Sequence, residues 1–175
     1  MKLKEIRNAN DALFEKAYAL YEISFPEIER RDREDNIGLL QRKDFRFSAL
    51  LTDEGDFCGL AAYWDNGEFL YIEHLCTEPA LRGRGLGAEA LELFKNTSKE
   101  VLLEIDPPKD ALSERRKAFY ERCGFSYFDE VHMHPAYREG DPPHPLNVMA
   151  YPGRPDGKTV RKLASYIEKE VFGRK

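Results

Sequence analysis

The sequence predicts a single α/β domain of the α+β kind, built on a mixed, mostly antiparallel sheet of six to seven strands flanked by helices. Three observations carry this. Between residues 45 and 76 three apolar runs are separated by short turns, which reads as an antiparallel meander. A glycine-rich segment at 83–87 then joins a strand to an amphipathic helix. After it, strand and helix patterns alternate, so one crossover helix joins two strands in the middle of the chain. The domain is expected over residues 1–152. Residues 153–175 form a C-terminal amphipathic helix packed on or extending it.

The elements follow in order. Met1 to Arg7 sets Leu3 and Ile6 among charges, a short strand. Asn8 to Asp11 offers helix caps, and Leu13, Ala17, Leu20 and Tyr21 then recur at helical spacing until Pro26 ends the run. The charged stretch Glu27 to Asp35 leads into a second short helix ending near Leu40. Phe45–Leu51, Phe57–Trp64 and Phe69–Cys76 are the meander strands, with Gly55 in the first turn and Asp65-Asn66-Gly67 as a hairpin signal in the second. Leu86, Ala90, Leu91 and Phe94 mark the next helix, and Val101–Ile105 is a short apolar strand containing Glu104. Ser113–Arg122 is a helix stopped by Gly124. Phe125–Met133 and Leu146–Tyr151 are the last strands, and the connection 134–145 between them holds four of the ten prolines. Val160, Leu163, Ala164, Ile167 and Val171 form the stripe of the final helix.

Composition narrows the function classes. The chain has 175 residues, 42% hydrophobic and 34% charged, enough apolar side chain for a sizeable core and too much for a disordered chain. Asp plus Glu outnumber Lys plus Arg by 32 to 27, a net charge of −5. No basic face for nucleic acid is expected. No run approaches the ~18 apolar residues of a membrane helix, and the first ten residues lack an apolar h-region. Three cysteines, Cys58, Cys76 and Cys123, fit reduced thiols in a cytoplasm better than a disulfide framework. His132 and His134 share a strand face, but without a neighbouring cysteine or carboxylate cluster they read as two half-exposed strand residues, and no metal is expected.

The turn Thr77-Glu78-Pro79-Ala80-Leu81-Arg82-Gly83-Arg84-Gly85-Leu86-Gly87-Ala88 is the most informative segment. Glycines permit positive φ and leave backbone N–H groups uncovered, and those groups at a helix N-terminus make an anion site. Arg82 and Arg84 would assist a phosphate or pyrophosphate. The Lys-Ser/Thr of a P-loop is absent. Gly83, Gly85 and Ala88 formally satisfy a dinucleotide fingerprint, which would make the chain a nucleotide-dependent oxidoreductase. That fingerprint, however, should follow a first strand within repeated βαβ units rather than a meander.

Pro79, Arg82, Gly83, Gly85 and Gly87 closely resemble the coenzyme A signature of the GNAT N-acetyltransferases, with Thr77 where valine is usual. A second element, Ser113, Phe119, Tyr120, Gly124 and Phe125 in SERRKAFYERCGF, is similar to the later helix of that family. The resemblance covers the chain to about Tyr151 and implies the GNAT acyl-CoA N-acyltransferase fold. It implies an acetyl-CoA-dependent N-acetyltransferase, moving the acetyl group from the thioester to a primary amine by direct transfer in a ternary complex. The co-substrate would lie in the gap between the strands 69–76 and 101–105. The resemblance places the pyrophosphate on Arg84, Gly85, Leu86, Gly87 and Ala88 and the pantetheine arm along Leu75, Cys76 and Thr77. A strand N–H of Leu75 or Cys76 would polarise the thioester carbonyl. Ser113 and Tyr120 complete the implied cofactor contacts.

Acyl transfer to nitrogen needs a base for the amine and gains from an acid for the departing thiolate. Tyr120 matches the family's tyrosine near the sulfur and is the expected acid. For the base, Glu104 and Glu73 stand level, with His74 behind them and a relaying water compatible with each. Strand alternation sends Tyr71 and Glu73 one way and His74 the other unless a bulge intervenes. Cys123, at a helix C-terminus where the dipole disfavours a thiolate, reads as a packed residue. Phe25, Glu29, His74 and Tyr137 are the candidate substrate contacts, for a small-molecule or peptide amine. A monomer or homodimer is expected. A non-catalytic acyl-CoA-binding or sensor domain on the same fold is the alternative, and an acyl group larger than acetyl stays open.

Overall fold

Helix starts in this chain are written by short acids. The computed structural model describes residues 1–173. In it Asp32, Asp110 and Asp156 cap the helices α2 (Arg33–Leu39), α4 (Ala111–Arg122) and α5 (Gly157–Tyr166), each accepting hydrogen bonds from backbone N–H groups of the first turn. At α1 (Phe14–Ser24) Asp11 accepts from the Leu13 N–H, one residue before the helix. Like α1, α3 (Leu86–Lys95) has no side-chain hydrogen bond at its N-cap, and it differs in that this cap is Gly85 in the left-handed region.

The chain divides into two compact units at Lys99/Glu100. In the first, β1 (Lys2–Ile6), β2 (Phe45–Leu51), β3 (Phe57–Asp65) and β4 (Phe69–Thr77) pair antiparallel in sequence order. The expected hairpin joins β3 to β4. There Asn66 Oδ1 accepts from the Glu68 and Phe69 N–H groups at 2.9 Å and Gly67 takes φ +92°. Alternation along β2 and β3 divides the packing. Phe47 meets Phe14 and Tyr21 of α1, whereas Tyr63, on the opposite face, meets Phe94 of α3 edge-on at 4.9 Å. Helices therefore cover both faces of this sheet, as its apolar strands require. Between α1 and α2 the chain makes a single 3₁₀ turn at Glu27–Glu29.

In the second unit β7 (His144–Tyr151) lies between β5 (Glu100–Ile105) and β6 (Ser126–His134), antiparallel to both. The sequence places the start of this last strand at Leu146, after the prolines. It starts at His144 and includes Pro145. The β5–β7 register ends at Ile105 opposite Asn147, so Pro145 lies beyond β5 and pairs on its other side with Met133 of β6. Helix α4 starts two residues earlier than the sequence predicts, at the Asp110 cap. It ends in a Schellman arrangement, with the Gly124 N–H on Glu121 O, the Phe125 N–H on Tyr120 O, and Gly124 at φ +89°. Helix α5 packs on β6 through a stripe that includes Val160 and Leu163, and continues as one π turn through Val171. Residues 174 and 175 of the expected C-terminal helix segment lie outside the described residues.

Gly59 on β3 marks a close approach of backbone to backbone. It stands opposite Thr77, and a Cβ there would sit 2.5 Å from Cys76 O and 2.9 Å from a Leu50 methyl. Gly59→Ala should destabilise the protein by about 1–3 kcal/mol, the cost of forcing an atom into a packed interior. The loss is read from the urea midpoint, with the m-value unchanged.

Candidate active site

The first unit contributes the glycine turn. A 3₁₀ turn, Pro79–Leu81, leads out of β4, and Gly83 and Gly85 take φ +80° and +82°. A Cβ on either would meet nothing within 4 Å, so neither is a glycine because of packing. Positive φ is what demands them, and the surface above the turn is open. The Gly85 carbonyl accepts from Ala88 and Glu89. The N–H groups of Leu86 and Gly87 precede those bonds at the positive end of the helix, and Arg82 and Arg84 are exposed beside them. Arg82, Gly83, Arg84, Gly85, Leu86, Gly87 and Ala88 thus form one continuous turn. Leu75, Cys76 and Thr77 lie just upstream, paired with Ala61, Leu60 and Gly59.

Glu73 sits in a β-bulge. Ile72 pairs with Tyr63 and His74 with Ala62, leaving Glu73 without an opposite residue. The extra residue breaks strict alternation, and both Glu73 and His74 reach the Tyr21–Arg31 segment. Glu73 accepts from Arg31 Nη1 at 2.7 Å and from Trp64 Nε1 at 2.8 Å. Its side chain is 1% exposed. Burial alone would raise its pKa. The Arg31 guanidinium, the neighbouring His74 and the Trp64 N–H outweigh burial and hold the carboxyl at about 2. His74 donates from Nε2 to the Glu29 carbonyl at 2.9 Å, edge-on to Tyr21 and Phe25. Phe25, Glu29 and His74, three of the four candidate substrate contacts, are therefore brought together.

The second unit holds Glu104, Ser113, Tyr120 and Tyr137. The Ser113 hydroxyl is bound into the α4 cap, accepting from the Lys109 and Asp110 N–H groups at 3.1 Å. Tyr120 is half-buried between Phe119 and Phe125, and burial pushes its hydroxyl up to about 12, so it carries its proton at neutral pH. Tyr137 stacks near His134 and Phe172.

His132 and His134 depart from the expectation of two half-exposed strand residues. They do share a face of β6, but their side chains are 9% and 2% exposed and both meet Glu104. His132 Nε2 contacts Oε1, and His134 Nε2 lies 3.7 Å from Oε2. The face was readable from the His-x-His spacing. The burial was not, because it depends on β5 lying beyond β7. Arg31 and Trp64, which decide the chemistry of Glu73, left no sequence signal. Among the described residues no cluster of three or more His, Cys, Asp or Glu side chains is arranged to hold a metal ion, and none of the three cysteines is in a disulfide. No described helix is long and apolar enough to cross a membrane.

Comparison with known proteins agrees in one direction. The model of the "Acetyltransferase (GNAT) family" matches residues 10–125. A protein of Bacteroides thetaiotaomicron assigned to the GNAT acetyltransferases superposes with a TM-score of 0.93 at 29% identity, covering 100% of both chains. An aminoglycoside 6'-N-acetyltransferase solved with coenzyme A superposes with a TM-score of 0.62 at 17% identity, covering 89% of this chain and 100% of the other. YjbC of Bacillus subtilis, assigned as an acetyltransferase, is 31% identical over 65 residues, 36% of this chain. That alignment spans about a third (34%) of the length of YjbC.

Glu73→Gln should cost about 3–5 kcal/mol at neutral pH, because it leaves the Arg31 charge buried without its counter-ion. The folded carboxyl lies below its ordinary value of 4.5, so the stability it contributes is complete above that value and is lost as pH falls toward about 2. Urea unfolding across that acid range should show the loss in the wild type and a flatter profile in the variant.

Proposed function

The chain belongs to the GNAT acetyltransferase family, and from that premise we propose that it transfers the acetyl group of acetyl-CoA to the nitrogen of a primary amine, directly and within a ternary complex. The observation that carries the proposal is the start of α3. It is the one helix start described that has a left-handed glycine as its N-cap, with open space over Gly83 and Gly85. Backbone N–H groups and the helix dipole would favour an anion there, with the exposed Arg82 and Arg84 at hand for a pyrophosphate. Arg82 through Ala88 are its proposed ligands. The pantetheine arm is assigned to the backbone of Leu75, Cys76 and Thr77, with the Leu75 or Cys76 N–H polarising the thioester carbonyl. Ser113 is a further proposed coenzyme contact.

Direct transfer is favoured over a covalent enzyme intermediate by the state of the thiols. Burial pushes the Cys76 thiol up to about 11, and Cys123 closes the negative end of α4. Neither is a poised nucleophile. Tyr120 is assigned to the leaving sulfur. With its hydroxyl near 12 it is several orders of magnitude less acidic than an ordinary thiol at ~8.5, so full proton donation would be uphill. Its role is to donate a hydrogen bond to the developing thiolate. Of the two carboxylates, Glu73 is held ionised by a permanent cation and has too little proton affinity for a base. Glu104 takes that role. Phe25, Glu29, His74 and Tyr137 are the proposed acceptor contacts.

Acetyl-CoA and CoA should each raise the melting temperature of the wild type, while NADH and ATP at the same concentration should not. A ligand that binds only the folded state stabilises it by about 2.7 kcal/mol at a hundredfold excess over Kd. Gly85→Ala should weaken the coenzyme effect. Tyr120→Phe should keep it and lower turnover of a responding amine by ~10²-fold or more. A shift with NADH alone would overturn the reading. A coenzyme shift without turnover over L-lysine, spermidine, kanamycin and an alanine-terminated peptide would support a coenzyme-binding sensor instead.

A further inference from the structure

We propose that Phe172 is a positioning residue for the acceptor side: aimed by the π turn that follows α5, it fixes Tyr137 and with it the connection between β6 and β7. The inference rests on the acetyltransferase reading above, in which Tyr137 contacts the acceptor, and deepens it with a residue that acts through Tyr137.

The π turn decides where the ring points. Five residues along an α-helix amount to about 500°, so a side chain at i+5 stands roughly 140° from the one at i. Phe172 is five residues after Ile167, which is fully buried in the apolar stripe of the helix. A regular continuation would therefore carry Phe172 away from that stripe. Instead the Phe172 N–H donates to the Ile167 carbonyl at 3.0 Å, the i→i+5 bond of a π turn. The wider turn brings residue 172 back over residue 167. Val171 is buried as well, so two consecutive side chains meet protein where an α-helix would admit one. Such turns are rare and concentrate at functional sites.

The ring meets the end of β6 and the connection after it. Phe172 lies 5.4 Å from the His134 ring, edge-on at 80°, and 5.3 Å from the Tyr137 ring, tilted by 57°. His134 and Tyr137 are themselves 5.3 Å apart, so each ring packs against the other two. Aromatic pairs at such separations and tilts are favourable beyond the area they bury. His134 is the buried last residue of β6, a fixed point on the sheet. Tyr137 stands in the connection, just before a turn in which the Asp141 N–H donates to the Arg138 carbonyl at 3.3 Å and Gly140 takes φ +92°. With His134 and Phe172 on it, the Tyr137 ring is oriented before an acceptor arrives. An acceptor then binds an ordered wall and is spared the cost of ordering it.

Helical periodicity in the sequence hides this residue. The stripe Val160, Leu163, Ala164, Ile167 and Val171 leaves Phe172 off the apolar face, and only the i→i+5 bond returns it. Phe172 also lies outside residues 10–125, the part matched by the family model. The glycine turn and the strand segment 75–77 assigned to the coenzyme belong to the first unit and share no element with it. Loss of the ring is therefore expected on the acceptor and not on acetyl-CoA.

The test uses the full chain and two readouts. Trypsin acting on the native protein reads the order of the connection, because cleavage after Arg138 requires it to open locally. Phe172→Ala should speed cleavage at Arg138 by about tenfold or more with the other sites unchanged, and Phe172→Tyr, which keeps the ring, should restore the slow rate. An unchanged rate at Arg138, or an equal rise at every site, would overturn the proposal whether or not the protein acetylates anything. The second readout is turnover with acetyl-CoA and the four acceptors named above. Phe172→Ala should raise the KM for a responding acceptor by about tenfold and leave the KM for acetyl-CoA unchanged. Tyr137→Ala should raise it too, and the double variant should lose no more than Tyr137→Ala alone, because one side chain acts through the other. Additive losses, or an equal rise in both KM values, would overturn the positioning role. If the wild type binds acetyl-CoA and acetylates none of the acceptors, the acetyltransferase reading has failed and with it the acceptor role. The cleavage rates then still decide whether Phe172 orders the connection.

Discussion

The bond between Glu73 and Arg31 fixes more of the candidate site than any other contact. It joins the bulge of β4 to the segment that follows the 3₁₀ turn, and it is buried at both ends. A buried ion pair stabilises little against an apolar alternative but tolerates no other partner, so it acts as a register pin. With Arg31 held there, its backbone N–H reaches the Tyr21 hydroxyl at 3.1 Å. The chain from Tyr21 to Arg31 is then tied at both ends, and Phe25 and the Glu29 carbonyl close on His74. The bulge is what allows this. In an unbroken strand, Glu73 and His74 would serve opposite faces.

A second constraint separates α3 from its neighbours. Three helices spend an aspartate on their first N–H groups, and those groups are then satisfied within the protein. At α3 a left-handed glycine takes the cap position and no side chain intervenes. The resulting helix start is slightly less stable by itself, since a glycine cap falls short of an aspartate cap by roughly a few tenths of a kcal/mol. What it gains is a concave set of donors facing solvent. The motif in the sequence is thus readable as a stability cost accepted at one helix and refused at three.

This contrast explains what the sequence could reveal. The meander, the hairpin at Asn66-Gly67, the glycine turn and the stop at Gly124 are local, and each follows from φ preferences or periodicity within a few residues. The start of β7 was hidden because Pro145 is excluded from a strand only where a neighbour needs its N–H, and that depends on where β5 ends. The partners of the two candidate bases were hidden for the same reason. Trp64 is close to Glu73 in sequence, but only the bulge aims its indole N–H at the carboxylate. His132 is 28 positions from Glu104 (132 minus 104), and nothing along the chain announces that their side chains meet.

The two carboxylates that the sequence left level are thereby separated by their partners. Glu73 faces a guanidinium, which is charged at every accessible pH and cannot exchange a proton. A proton added to Glu73 must displace that attraction, so the group stays an anion and serves as an anchor. Glu104 faces two imidazoles, the side chains whose ordinary titration lies closest to neutrality. The Glu73 carboxylate is thus committed to structure, and the reason lies in a partner that never gives up a hydrogen ion.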